Sequence, residues 1–236
     1  MYASEQLPLQ PDELDLLNEL VPLSGRRIIE LGCGNARLAR ELLQRFPACH
    51  ITGLEVDAIQ QANNLAQPQA GLDFLSAGAQ DVPFPVASFD LALMLKSLHH
   101  VPLPLLSHAL SEVARVLKPG GYLYVSEPIY DGALNEVVRL FNDEGVVRAA
   151  AQAALDEALA TTGDWETVTE HRFAQAVSYR DFDEFEQRMM RPSFAQHDLS
   201  DAVVARVRAA FEPHRSPVGA RFVRPMHVRL LRRTGH

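Results

Sequence analysis

The chain has 236 residues, enough for one α/β domain with a large core. Its net charge of −8 argues against sequence-independent binding of nucleic acid, which needs a basic face. Cys33 and Cys49 offer neither a disulfide framework nor metal-ligand spacing. Neither a signal peptide nor a membrane-spanning apolar run is read, so a reducing cytoplasm is the expected compartment and no metal is expected.

Residues 1–11 form a short lead without periodicity. Pro11-Asp12-Glu13 predicts a helix start, with Leu14, Leu17 and Val21 on one face and Ser24-Gly25 as the end. Ile28, Ile29 and Leu31 form the apolar run of a strand covered on both faces. Gly32 and Gly34 then permit a sharp turn and a close approach of ligand to backbone. Asn35 or a neighbour opens a helix with the stripe Leu38, Leu42 and Phe46, stopped by Pro47.

Residues 50–55 read as a second strand, Ile59, Ala62, Leu65 and Ala66 as a short helix, and 72–76 as a third strand. Residues 88–95 are apolar enough for a buried fourth strand. The stripe Leu106, Leu110, Val113 and Leu117 follows, Lys118-Pro119-Gly120-Gly121 ends it, and 122–126 is the fifth strand. This alternation predicts an α/β fold: a doubly wound, mostly parallel Rossmann-like sheet with helices on both faces.

The remainder is less regular. Helices are expected around 134–141, 146–159, 182–189 and 199–211, with strands around 166–179 and 222–233. The whole is read as a single domain over 1–236. Its cofactor-binding core is 12–127, and 128–236 adds a helical substrate-side segment and the final strands.

A strand–glycine–helix corner at the end of the first strand is where doubly wound folds bind nucleotide-like cofactors. A dinucleotide fingerprint needs a third glycine where Arg37 stands, and Arg37 would crowd a pyrophosphate. Glu30 lies two residues before the first glycine, in an apolar strand, where a carboxylate is costly unless it meets a cation or several donors. Glu30-Leu31-Gly32-Cys33-Gly34 therefore favours a nucleoside that bears an amino acid. It resembles motif I of the class I S-adenosylmethionine-dependent methyltransferases, with Ala36 as the family's third small residue.

Later segments follow in that family's order, and the resemblance covers about residues 24–127. Glu55 stands 23 residues after Gly32 and matches the acidic residue that accepts the ribose hydroxyls; its rival Asp57 suits a helix N-cap. The loop from Phe74 to Pro85 resembles the adenine-contacting loop, but the residue that would take the adenine amino group falls at Gly78. Ala79 backbone groups, or the Gln80 or Asp81 side chains, are the substitutes. The resemblance implies S-adenosylmethionine as cofactor, S-adenosylhomocysteine as product, and a small molecule as methyl acceptor through O, N or C. The expected cofactor residues are Glu30, Gly32, Cys33, Gly34, Asn35, Arg37, Glu55, Val56, Ala79, Gln80, Lys96 and Ser97.

Methyl transfer is an in-line displacement, and a base is needed only when the nucleophile holds a proton at neutral pH. His99 and His100, after the fourth strand, are the candidates, although a loop-ordering role competes. Substrate selection is expected in the lead with Tyr2, in 128–165 and in the helices after 180. Tyr130, Phe141, Trp165, Tyr179 and Phe182 are the aromatics that could line a pocket or fill the core. Residues 201–236 carry eight arginines against Asp201 and Glu212, read first as a solvated face and second as an attraction for an anionic substrate. The competing readings are a protein that binds S-adenosylmethionine or S-adenosylhomocysteine without transfer, and a nicotinamide-dependent dehydrogenase, which Arg37 and Glu30 disfavour.

Overall fold

Helix α1 (Glu13–Leu20) begins at Asp12, whose carboxylate accepts the Leu14 N–H at 2.9 Å. The structure, a computed structural model, describes residues 6–193 and 197–235, so Tyr2 lies outside the described residues. The helix ends at Leu20, with extended backbone at Val21, four residues before the expected Ser24-Gly25 stop. Two units interleave along the chain. One takes in Asp12–Glu127, Ala149–His171 and Val228–His236; the other Met1–Pro11, Pro128–Arg148 and Arg172–His227.

The first unit holds β1 (Arg27–Leu31), α2 (Arg37–Arg45), β2 (His50–Leu54), α3 (Ala58–Leu65), β3 (Leu72–Leu75), β4 (Phe89–Leu95), α4 (Leu106–Val116) and β5 (Leu117–Pro128). β1 pairs in parallel with β2 and β4, β2 with β3, and β4 with β5. The order β3-β2-β1-β4-β5 reverses its winding between β1 and β4, which opens a crevice at the carboxyl end of β1. Ile29, Leu54, Ala92 and Met94 of the sheet share one core with Leu110 and Val113 of α4. Each such buried aliphatic side chain contributes roughly 1.5–3 kcal/mol.

Two details of this unit correct the sequence reading. Ile59 and Leu65, two of the apolar residues that mark α3 in the sequence, are 59% and 58% exposed, while Gln61 and Asn64 are buried. The helix turns its amides inward because Asn64 has a carbonyl to satisfy at the glycine turn. Lys118-Pro119-Gly120-Gly121 lies inside β5 rather than before it. Phe89 pairs with Leu117 and Leu91 with Tyr122, so the tetrapeptide forms a bulge, with Gly120 at φ 75°.

Helix α5 (Ala133–Val138) belongs to the second unit. Helix α6 (Gly145–Thr161) then gives most of its length to the first, packing Ala151 and Leu155 into that core. Strand β6 (Trp165–Tyr179) runs on into the second unit, which continues with α7 (Phe182–Phe185), a π-helical turn over Glu186–Met190 and α8 (Asp201–Phe211). A two-residue strand not anticipated from sequence, β7 (Arg215–Ser216), pairs antiparallel with the start of β8 (Gly219–Arg233). The full strand order is β3-β2-β1-β4-β5-β8-β6.

After 127, β6 and β8 are each 15 residues long, somewhat longer than the strands expected around 166–179 and 222–233. The lead is not free of structure either: the Gln10 N–H donates to the Ala174 carbonyl at 2.9 Å. The second unit has its own aromatic core, in which Tyr179 meets Phe185 edge-on at 5.1 Å and Phe182 meets Phe211 at 5.5 Å. Tyr179 and Phe182 here, and Trp165 in the first unit, are buried core residues.

Candidate functional site

The turn after β1 stays tied to β2: the Gly32 and Cys33 N–H groups both donate to the Leu54 carbonyl, at 2.9 and 3.0 Å. Gly32, Gly34 and Ala36 have φ of 76°, 54° and 55°. A Cβ on Gly32 would stand 2.8 Å from that of Ser97, so backbone conformation and space both require glycine there. Nothing lies within 4 Å of a Cβ built on Gly34, which leaves the inside of the turn open. Left-handed backbone at buried Ala36 costs roughly 1–2 kcal/mol. Ala36 is the N-cap of α2 without a side-chain cap, and Asn35 Oδ1 accepts the Arg37 N–H at 3.2 Å.

Glu30 lies in register between Gly53 of β2 and Leu93 of β4. It is 4% exposed, and its Oε2 has no hydrogen-bond partner among the described residues. Burial pushes its carboxyl up to about 8, against the pull of Lys96 and Arg37. A buried, unpartnered carboxylate oxygen beside a glycine turn fits a cationic ligand group and does not fit a pyrophosphate. Glu55 is buried at the end of β2 and accepts three backbone N–H groups, from Gly34 at 2.7 Å and from Val56 and Asp57 at 2.8 Å. Asp57 Oδ1 caps α3 through the Ile59 N–H at 2.8 Å. The two carboxylates therefore have separate work.

Asn64 was not singled out from sequence. Its Nδ2 donates to the Gly34 carbonyl at 2.7 Å, which braces the turn from behind. Cys33 faces the same space, since a Cβ on Gly53 would lie 2.8 Å from its Sγ. Burial raises the Cys33 thiol well above its ordinary value, so it stays protonated and inert.

The loop after β3 is held by α4. The Arg115 guanidinium donates to the carbonyls of Phe84 at 2.7 Å and Val82 at 2.9 Å, while Glu112 accepts the Val82 N–H at 3.2 Å. In sequence these two residues read only as part of a helix before a stop. Within the loop Ala79 is buried. Gln80 folds back so that its carboxamide atoms lie 2.5 Å from a Cβ built on Gly78.

At the exit of β4, Lys96 has φ 57° and its Nζ lies 3.7 Å from Glu13. Ser97 Oγ donates to the Leu31 carbonyl at 2.7 Å, locking the ends of β4 and β1 together. Glu127, at the end of β5, accepts the N–H groups of Ser97 at 3.1 Å and Leu98 at 2.9 Å, and hydrogen-bonds His99 Nδ1 through its other oxygen. His99 is buried; His100 is exposed, with its ring centroid 4.1 Å from that of His99. Glu127 was missed because no local pattern marks a carboxylate 28 residues from its histidine.

Glu30, Gly32, Cys33, Gly34, Glu55 and Ser97 thus meet at one corner through these contacts. Arg37 does not turn into it: its guanidinium is 64% exposed and pairs with Glu41 at 2.7 Å, one helical turn on. Val56 is 68% exposed and enters the corner only through its N–H.

Residues 29–125 match a family described as a methyltransferase domain. The chain is 37% identical over 116 residues to the fatty-acid O-methyltransferase of Mycolicibacterium smegmatis, covering 46% of this chain and 40% of that protein. It is 35% identical over 120 residues to the 27-O-demethylrifamycin SV methyltransferase of Amycolatopsis mediterranei, covering 48% of this chain and 43% of that one. The chain thus spans about two fifths of the length of these curated relatives. Among solved structures, the BH2331 protein of Bacillus halodurans superposes with a TM-score of 0.65 at 15% identity, covering 94% of this chain and 99% of that one. The YcgJ protein of Bacillus subtilis gives 0.64 at 17% identity, covering 94% and 98%. These two likenesses concern the fold. The similarity to a methyltransferase domain thus covers residues 29–125, and the two structural likenesses extend the shared fold over most of the chain.

Proposed function

We propose that the chain binds S-adenosylmethionine at the corner after β1 and transfers its methyl group to an oxygen of a small-molecule acceptor. The observation that carries this reading is the buried, unpartnered Oε2 of Glu30 beside the open turn at Gly34. When bound, S-adenosylmethionine supplies a methyl carbon on a sulfonium and leaves as S-adenosylhomocysteine. Glu30 would hold its ammonium group, and Gly32 and Gly34 would let the methionine tail approach the backbone.

Glu55 would receive the ribose hydroxyls. A carboxylate has about four lone-pair sites, and three N–H groups already use Glu55. A bidentate ribose contact therefore requires one of these three N–H groups to let go. Gln80 would take the adenine amino group, since its carboxamide occupies the space that a side chain at 78 would fill. Orientation of this kind supplies roughly 7–11 kcal/mol of the barrier to displacement.

The names of the relatives, a fatty-acid and a rifamycin O-methyltransferase, support oxygen as the nucleophile. A hydroxyl acceptor needs a base. His99 fits that task better than exposed His100, because Glu127 fixes its ring and, by accepting from Nδ1–H, makes Nε2 the proton-accepting nitrogen. The test is calorimetry with S-adenosylmethionine, S-adenosylhomocysteine and NAD, followed by a search of cell extract for products that acquire a labelled methyl group. Binding of both sulfur nucleosides with a labelled product is expected. Binding without any product would leave a cofactor-binding protein, and preference for NAD would overturn the assignment.

A further inference from the structure

The second unit contains two buried hydrogen-bond donors, the Tyr179 hydroxyl and the Asn135 amide nitrogen, that no described residue satisfies. Residues of β8 alternate between faces, so Ala220, Phe222, Arg224 and Met226 share one face. Three of these four are buried in apolar surroundings, and Arg224 is the exception in kind. Tyr179 packs on the same face, with its ring centroid 6.1 Å from that of Phe222. Tyr179 is 2% exposed, and its buried hydroxyl has no hydrogen-bond partner among the described residues.

The charges around Arg224 come from every element packed there: Arg148 and Glu144 before and within α6, Tyr179 at the end of β6, and Arg188 on the π-helical turn. Two of those cations are already neutralised. Arg148 pairs with Glu144 at 2.6 Å, both 14% exposed, and Arg188 pairs with Glu184 at 2.9 Å. Arg148 also donates to Asn135 Oδ1 at 3.2 Å, which leaves the buried Asn135 Nδ2 without an acceptor. The group is therefore one partly buried guanidinium with no ion pair among the described residues, one phenol and one amide nitrogen, all able to donate. Burial works against the charge on Arg224, which only an anion would relieve.

We propose that Arg224, with Tyr179 and Asn135, forms a binding site for the carboxylate of a small organic acid. A single uncompensated positive charge suits a monoanion, and the planar guanidinium fork matches the two oxygens of a carboxylate. The anion site does not rest on the transfer proposed above.

The experiment is calorimetry of the full chain with benzoate and decanoate, each against its primary amide, and with inorganic phosphate. At least one acid should bind, and its amide should bind at least about tenfold more weakly, as expected for loss of charge-assisted hydrogen bonds. Arg224→Gln should raise the Kd of the acid by about 10–100-fold and Tyr179→Phe by about 2–10-fold. Arg224→Lys, which keeps the charge without the fork, should fall between wild type and Arg224→Gln; it serves if the glutamine variant does not fold. Acids that bind no better than their amides, an acid affinity unchanged in the Arg224 variants, or phosphate bound more tightly than either acid would each overturn the proposal. S-adenosylmethionine affinity, measured separately, should be the same in all variants. An acid that binds through Arg224 in a chain that ignores S-adenosylmethionine would sustain the anion site and remove the transfer reaction.

Discussion

Gln80 lies over Gly78, with its carboxamide nitrogen and oxygen 2.5 Å from the point where a side chain at 78 would begin. The family pattern leaves a gap at 78, and a residue two positions later fills it. Gln80→Ala should weaken S-adenosylmethionine binding by about 0.5–1.5 kcal/mol, roughly two- to tenfold. Gly78→Asp combined with Gln80→Gly should recover most of that loss, because the new carboxylate would start in the vacated space. Calorimetry on the three variants decides it; equal affinity for wild type and Gln80→Ala would move the adenine contact elsewhere.

Under the proposed assignment, Glu30 should make cofactor binding depend on pH. Its folded-state carboxyl is raised to about 8, so at pH 6–7.5 it is mostly protonated and must lose a proton to pair with an ammonium. Binding should therefore release a proton, and affinity should rise by up to about tenfold per pH unit across pH 6–7.5. Above about 8 the ligand's own α-amino group begins to lose its charge and the gain ends. Titrations in buffers of different ionisation enthalpy count the protons. Glu30→Gln should bind more weakly, with a flat profile over the same range.

The same shift acts on the chain without ligand. A carboxyl raised on folding favours the folded state below its unfolded value near 4.5, and that contribution is lost as pH rises toward 8. The melting temperature of wild type should therefore fall from pH 5 to 8 more than that of Glu30→Gln. Parallel curves for the two would mean that Glu30 is already charged in the free protein.

Glu55 joins the two sides of the corner through Gly34, Val56 and Asp57. Glu55→Ala should reduce cofactor affinity by about 1–3 kcal/mol and should also lower the melting temperature of the free chain, since three N–H groups lose their acceptor. Asp57→Ala should cost about 1 kcal/mol of stability through the α3 cap, with little effect on affinity. A reversed pattern would exchange their roles.

His99 and His100 should separate in a pH–rate profile measured with the true acceptor. In wild type the rate should fall at low pH, as protonation removes the base. His99→Gln should cut turnover by about 10²–10⁴-fold and abolish that acid limb, whereas His100→Gln should retain both rate and limb. If His99→Gln only loses stability, through the buried Glu127 left short of a donor, its role is to order the loop.

The sequence by itself determined the parallel α/β core and the place of its corner. Those signals are local: apolar runs, helical stripes, and glycines where a side chain would collide with Ser97 or a positive φ is needed. Glu30 was legible for a related reason, since a carboxylate in an apolar strand is an electrostatic anomaly that spacing alone exposes. Tertiary structure decided the contacts that join distant segments. Asn64 reaches Gly34 across 30 residues, Glu127 reaches His99 across 28, and Arg115 reaches Phe84 across 31. The inward face of α3 went the same way: the buried Asn64 amide reaches the Gly34 carbonyl, while Ile59 and Leu65 stay exposed. Arg224 was one of eight arginines in its segment. Only folding shows that its neighbours Arg148 and Arg188 are already paired and that the buried Tyr179 hydroxyl lacks a partner among the described residues. Periodicity reports which face of an element is apolar; which polar group lacks a partner depends on everything packed around it, and that is a property of the fold.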